Sequence, residues 1–341
     1  MLRVEPLMWT VLWAEVKIRE SSGVSAVSEP VISVVICTHN RDRYLGTALD
    51  SVLAQDFEDY EIVVVDNAST DNTRQVVEKR LPHPRLRYVY EPKLGLNVAR
   101  NRGAVETTGT IIAYFDDDAI APPTWLQALH EAFQSNEKLG VAGGKVTLIW
   151  PEGYTQPKWL SPSLAGNLGA YDLGDSAVNI TNPGDTPRGL NYAMRRSVLE
   201  AVGGFQLNLD RVGKNLLSHG ELYMTEVVLK KGWQVTYLPE AEVGHQVSSE
   251  RLKQSWYFRR GWWQGISECY REQIAGSAGL QQLPRGGERL IRGLYNTVKY
   301  ISDPARSFDN LIYAYGQLGY LSAAVKGMVS KPNSTQQPHT S

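Results

Sequence analysis

"VISVVICTHNRDRYLGTALDSVLAQ", residues 31–55, joins two periodicities end to end. Its first seven residues are dominated by β-branched side chains, the pattern of a parallel strand covered on both faces. A polar turn, "THNRDR", follows, and "YLGTALDSVLAQ" then returns apolar residues at helical spacing. The unit recurs. "EIVVVD" (61–66) is a second strand, followed by the turn "NASTDN" and a helix through Arg80. "LRYVY" (86–90) is a third, "GLNVARNRGAVETT" (95–108) a helix, and "TIIAYF" (110–115) a fourth strand. Repeats of this length predict an α/β fold: a Rossmann-like, mostly parallel central sheet with helices on both faces and ligands at the carboxyl ends of the strands.

The alternation loosens after "TWLQALHEAF" (124–133). Residues 150–188 are rich in Pro, Gly and Asp and carry Trp150 and Trp159, so they are expected to form an ordered, functional loop. Regular structure resumes with "GLNYAMRRSVLEAVGGF" (189–205), a helix "ELYMTEVVLKKG" (221–232) and a short strand "WQVTYLP" (233–239). Residues 248–330 have a helical pattern. The expected segments are an extension at 1–29, a catalytic domain at 31–247, a helical C-terminal region at 248–330 and a disordered polar tail at 331–341.

Three consecutive aspartates, Asp116, Asp117 and Asp118, follow the fourth strand where the sheet opens to ligand. On extended backbone, Asp116 and Asp118 point the same way and raise one another's pKa. A divalent cation, Mg²⁺ or Mn²⁺, relieves that repulsion and prefers one or two carboxylates plus substrate phosphates. A helix N-terminus explains one aspartate but not three. A glycosidase pair stands about 5–10 Å apart, a poorer match to a tight cluster. The other strand ends agree. "CTHNR" offers the hydroxyl of Thr38, the amide of Asn40 and the cation of Arg41, and Asp66 can accept from a ribose hydroxyl or a base N–H. Arg100 and Arg102 lie near the same edge, where a guanidinium can meet phosphate.

"SVVICTHNR", "VVVDNASTD", "LGLNVARNRG" and "AYFDDDA" resemble the ordered motifs of the inverting glycosyltransferases of family 2, which have the GT-A fold; "RGLNYAMRRSVLEAVGGF" is similar to that family's G-x-N-x-A-x-R-R block. The resemblance covers roughly residues 31–245 and implies a nucleotide-binding half (31–120) and an acceptor half (121–247). It implies a UDP- or GDP-linked sugar donor, a divalent metal, inversion at the anomeric carbon and a saccharide or lipid-linked acceptor, as in polysaccharide, exopolysaccharide or glycolipid synthesis. Carried over by position, Thr38, Asn40, Arg41 and Asp66 line the nucleoside pocket with Arg102 near it, Asp116 and Asp117 face the donor, and Asp118 bridges the metal to the diphosphate. Asn191 falls in the block at the sugar end of the cleft, His245 where members place a histidine that reaches the metal, and Arg259 and Arg260 where a basic stretch meets the leaving diphosphate. The family often has Asp where this chain has Asn67. Counting back from Gly232, Glu221 takes the place of the catalytic aspartate and Gly220 that of the glutamate before it; Glu226, one turn on, is the second candidate base.

Two other readings stand beside this one: a catalytically silent sugar-nucleotide-binding subunit, and a nucleotidyltransferase of related fold. The latter usually carries a glycine-rich loop after the first strand, and an NAD-dependent oxidoreductase wants G-x-G-x-x-G there; "CTHNRDR" has no glycine. The net charge of −1 gives no reason to expect nucleic acid. Two distant cysteines, Cys37 and Cys269, make neither a disulfide scaffold nor a zinc site and fit a reducing compartment. With no apolar run long enough to span a bilayer, the expectation is a cytoplasmic protein. Residues 248–330 hold eleven Lys/Arg against six Asp/Glu, a balance of +5, and their 285–330 part is a candidate for peripheral contact with the inner face of the plasma membrane.

Overall fold

The computed structural model describes residues 30–213, 215–276 and 282–329; the expectations for 1–29 and 331–341 lie outside them. The first elements follow the alternation: β1 (Ile32–Thr38), α1 (Asp42–Leu53), β2 (Tyr60–Asp66), α2 (Thr73–Glu78), β3 (Leu86–Tyr90), α3 (Leu96–Glu106) and β4 (Ile111–Asp116). Then come β5 (Ala119–Ile120), α4 (Trp125–Ser135), β6 (Leu139–Ile149), α5 (Pro162–Gly166), β7 (Val178–Asn179), β8 (Asn191–Arg195), α6 (Arg196–Val202), α7 (Gly220–Lys230) and β9 (Gln234–Gln246). The chain ends its described part with α8 (Gln254–Ile274), α9 (Gln282–Lys299) and α10 (Pro304–Val329).

The strands build one sheet in the order β3-β2-β1-β4-β8-β6-β9-β5, with β7 on β9. β3, β2, β1 and β4 are mutually parallel, and β8 runs antiparallel between β4 and β6. β1, β2 and β4 are buried along most of their length, with Cys37 and Glu61 half-buried, as expected of their largely apolar runs. α1 turns Leu45, Ala48, Leu49 and Val52 into the core at helical spacing.

Two strands differ from expectation. β6 lacks a strand signature in the sequence because Gly140, Gly143 and Gly144 dilute its β-branched residues. Those glycines are there for contact: a Cβ on Gly144 would overlap the carbonyl of Ala241, and one on Gly143 that of Asn191. β9 continues well past Pro239, because its pairing with β6 shifts register between Leu238 and Val243 and the proline sits in that irregularity.

The chain divides into two compact units. One holds the described residues up to Gln156 together with Pro162–Lys253; the other holds Pro157–Ser161 and the described residues from Gln254 onward. In the second, α10 packs on α8 and α9, and Trp159 stacks edge-on against Tyr257 and Phe308. Among the described residues, no helix is long and apolar enough to cross a membrane.

Candidate active site

The strand order reverses between β1 and β4, and ligands of such sheets bind in the crevice outside the carboxyl ends at that point. Register fixes what gathers there. Cys37 is opposite Asp116 and Thr38 opposite Asp66. Antiparallel β8 brings Asn191 beside Phe115, and β9 sets His245 against Ala119. The crevice thus unites Thr38, Arg41, Asp66, Asp116, Asp117, Asp118 and His245 from four separate stretches of sequence.

The aspartates do not continue the strand. β4 ends at Asp116, and Asp117–Asp118 form a turn before β5, so the alternation expected of extended backbone fails. The turn lets one guanidinium serve both: Arg41 lies 3.8 Å from Asp117 Oδ1 and 3.3 Å from Asp118 Oδ2. Asp118 also accepts from His245 Nε2 at 3.1 Å and faces Arg251 at 3.6 Å. Burial pushes the Asp118 carboxyl up, but His245, Arg251 and Arg41 outweigh it and hold the group well below the ordinary carboxylate range. The neighbours go the other way. Burial and then the Asp118 charge push Asp117 up to about 8, and the same two causes raise Asp116.

Two buried polar atoms around this cluster, His245 Nδ1 and Gln246 Nε2, have no hydrogen-bond partner among the described residues, and the Thr38 hydroxyl lies beside Asp117. Orphaned polar atoms beside repelling carboxylates are what a ligand-free polar site looks like. Neighbouring ligands of an octahedral Mg²⁺ stand about 3 Å apart, close to the His245–Asp118 separation. Among the described residues no group of three or more His, Cys, Asp or Glu could hold a metal by itself. A cation sharing Asp118 and His245 with diphosphate oxygens and water fits that donor set.

At the ends of β1 and β2, the side chains hold loops. Asp66 accepts from the Ser69 N–H and the Tyr88 hydroxyl. Asn40, in the left-handed region at φ 54°, accepts from Thr70 N–H through Oδ1 and ties the first βα loop to the second. Asn67 explains its own departure from the family's aspartate. Its Nδ2 donates to the carbonyls of Glu91 and Lys93, and its Oδ1 accepts from Gly95 N–H. An aspartate there loses both donors and sets a buried charge against two carbonyls. Asn67→Asp should therefore cost about 2–3 kcal/mol, read as a lower urea midpoint with unchanged slope.

Glu221 opens α7, and its Oε1 meets Arg100 Nη1 at 2.8 Å. Arg100 is itself buried, its guanidinium over the Phe205 ring. Burial would raise the Glu221 pKa, but Arg100 and the residue's own backbone N–H, with Arg211 beyond them, lower it. Gly189 has no room for a side chain: a Cβ would overlap Glu221 Oε1 and Arg100 Nη2. Glu226 is tied to Lys230 at 2.7 Å on the same helix. Arg102 pairs with Glu106 on α3 instead of turning to the crevice. Asn191 is fully buried, accepting from Trp125 Nε1 and donating to the Ala241 carbonyl, so it braces the crevice wall. Arg259 and Arg260 stand on α8, in the second unit.

A family profile described as "Glycosyl transferase family 2" matches residues 33–203, half of the chain. The chain belongs to glycosyl transferase family 2. As a family 2 glycosyltransferase it is 27% identical over 248 residues to a glucosyl-dolichyl phosphate glucuronosyltransferase of Haloferax volcanii, covering 70% of this chain and 76% of that one. It is 39% identical over 181 residues to an uncharacterized glycosyltransferase of Nostoc, covering 50% of this chain and about half, 52%, of that one. Its fold matches the mannosyltransferase PcManGT from Pyrobaculum calidifontis, solved with GDP-Man and Mn²⁺, at TM-score 0.50 and 19% identity, covering 98% of this chain and 84% of the other. GalNAc-T7, solved with UDP, GalNAc and Mn²⁺, matches at TM-score 0.51 and 16% identity over 79% of this chain and 60% of its own. The fold is therefore GT-A.

Arg251 and Arg211 carry no cue in the sequence, and Arg100, expected near this edge to meet phosphate, instead pairs with Glu221. For Arg100 a signal existed: Asn97, Ala99, Arg100, Gly103 and Ala104 form the buried face of α3, and a guanidinium on such a face must be paired. Arg251 comes from an irregular segment after β9, where periodicity gives no cue. Arg211, exposed to solvent, has Arg251, Arg100, Glu221 and Asp116 within electrostatic reach.

Proposed function

We propose that this chain moves a sugar from a nucleotide-diphosphate donor, UDP- or GDP-linked, to a hydroxyl of a saccharide or lipid-linked acceptor, with inversion and with a divalent cation, Mg²⁺ or Mn²⁺. The observation that carries the reading is the joint electrostatics of one crevice. An ionised carboxylate, Glu221, is held by Arg100, and Arg100 also feels Asp116 of the acidic cluster.

Thr38 and Asp66 flank the nucleoside edge, and Asp116 faces the donor. Asp118 and His245 would hold the cation, which when bound offsets the charge that gathers on the diphosphate. Glu221 accepts the proton of the acceptor hydroxyl as that oxygen bonds to the anomeric carbon. The bond from that carbon to the diphosphate oxygen breaks, and the nucleoside diphosphate leaves with its electron pair. Arg41 and Arg251 keep Asp118 ionised throughout.

A panel of nucleotide sugars tested by thermal shift, then by release of nucleoside diphosphate with Mn²⁺ or with chelator, tests the proposal. One donor should stabilise the chain and be turned over only with metal. Stabilisation without turnover on any acceptor would support the silent-subunit reading instead, and metal-independent turnover would remove the cation.

A further inference from the structure

α9 presents two faces. Gln282, Gly286 and Gly293 are buried on one, and Gly286 and Gly293 let the helix seat closely on α10: added Cβ atoms would meet Leu321 and Ala314. The other face is apolar and exposed. Ile291, Tyr295 and Val298 are 70%, 65% and 69% exposed, Leu294 is 48% exposed, and Ile301 continues the stripe just beyond the helix at 76%. At one hundred degrees per residue these five fall within about a third of the helix circumference, centred roughly 140° around from the glycine face. Single exposed apolar residues are ordinary; five in one stripe are not.

Charge decides what covers the stripe. Arg285, Arg292 and Lys299 recur every seven residues along one flank, all exposed, with Arg285 3.7 Å from Glu272 and Arg292 tied to Glu288 at 3.2 Å. A second copy meeting this face would bring its own cations against these. A sheet of anionic headgroups would neutralise them, while the apolar stripe sinks to the acyl boundary and the Tyr295 hydroxyl stays at headgroup level. We infer that α9 is a membrane-surface helix that lays Ile291, Leu294, Tyr295, Val298 and Ile301 into an anionic bilayer. It lies on the bilayer and does not span it. The inference uses nothing from the crevice, so it stands or falls apart from the reaction proposed above.

Flotation of the full chain with vesicles tests it. Wild-type chain should rise with phosphatidylglycerol-rich vesicles, release as salt is raised, and rise about tenfold less with phosphatidylcholine alone. Ile291→Glu with Val298→Glu should cut the bound fraction at least about tenfold. Leu81→Glu, an exposed apolar position in the other unit, should leave it unchanged. If the double glutamate variant loses its helical circular dichroism, Ile291→Ser with Val298→Ser replaces it, with the same expectation. The assignment is overturned if wild type stays unbound, floats equally with both lipids, or floats as well as the double variant. It is also overturned if the chain forms a dimer that the double substitution dissolves.

Discussion

Glu221→Gln lowers sugar transfer by about 10²–10⁴-fold at neutral pH and leaves donor affinity within about twofold, as removal of a general base should. The amide keeps the size of the side chain and an oxygen for Arg100, so geometry survives while proton acceptance is lost. On the proposed reading the donor contacts lie across the crevice, at the ends of β1, β2 and β4, and do not use this side chain. The pH profile adds a second test. Burial alone would lift the Glu221 carboxyl; Arg100 overrides it and holds the group below the ordinary glutamate range. Activity that needs the ionised form should therefore persist down through mildly acidic pH and fall only as Glu221 takes up its proton. Arg100→Met removes the stabilising cation and leaves burial in place, so the acid limb moves to higher pH. Titration of donor affinity by calorimetry, beside transfer rates across pH, reads both effects. Transfer by Glu221→Gln within tenfold of wild type would sink the assignment. It would not pass the role to Glu226, which stands five residues on, about 140° around the helix, and is engaged by Lys230.

The central sheet was legible because parallel strands buried on both faces must be apolar throughout, and "VISVVIC", "EIVVVD" and "TIIAYF" are. The repeated β-α-β units put the carboxyl ends of those strands forward as the binding edge, and with them Thr38, Asp66 and the aspartates as candidates. What the sequence could not carry was contact between distant segments. Nothing local says that Gly189 lacks a side chain to make room for the Arg100–Glu221 pair, or that Asp210 caps α3 by accepting from the Asn97 N–H. Arg100 and Arg102 show the boundary between the two cases. Both are guanidiniums on one helix two residues apart, and composition does not separate them. Helical phase does, since two residues are about 200° of rotation. The first shares the face of Gly103 and Ala104; the second turns outward to Glu106. The turn at Asp117–Asp118 marks a different limit. Alternation holds only while backbone stays extended, and β5 requires a reversal there.

Asp118→Asn abolishes the response to Mn²⁺ while the chain stays folded. Wild-type chain saturated at about a hundred times Kd gains about 2.7 kcal/mol from a ligand that binds only the folded state, enough to raise Tm by roughly 5 °C. The variant should show no such rise, and metal-dependent turnover should fall at least about 10²-fold, the scale on which a lost stabiliser of transition-state charge is felt. The metal-free variant should unfold near the wild-type temperature, because two effects oppose. The substitution removes the partner of His245, Arg251 and Arg41, yet it also removes the charge that raises Asp116 and Asp117. The amide oxygen still accepts from His245 or Arg251. Asp117→Asn is the control. That carboxylate sits 3.8 Å from Arg41 and beside the Thr38 hydroxyl, and the proposal does not use it to hold the cation, so its Mn²⁺ response should match wild type. Equal Mn²⁺ stabilisation of wild type and Asp118→Asn would place the cation elsewhere. Loss in Asp117→Asn with retention in Asp118→Asn would exchange their roles, because the turn sets both side chains within reach of Arg41 and the crevice.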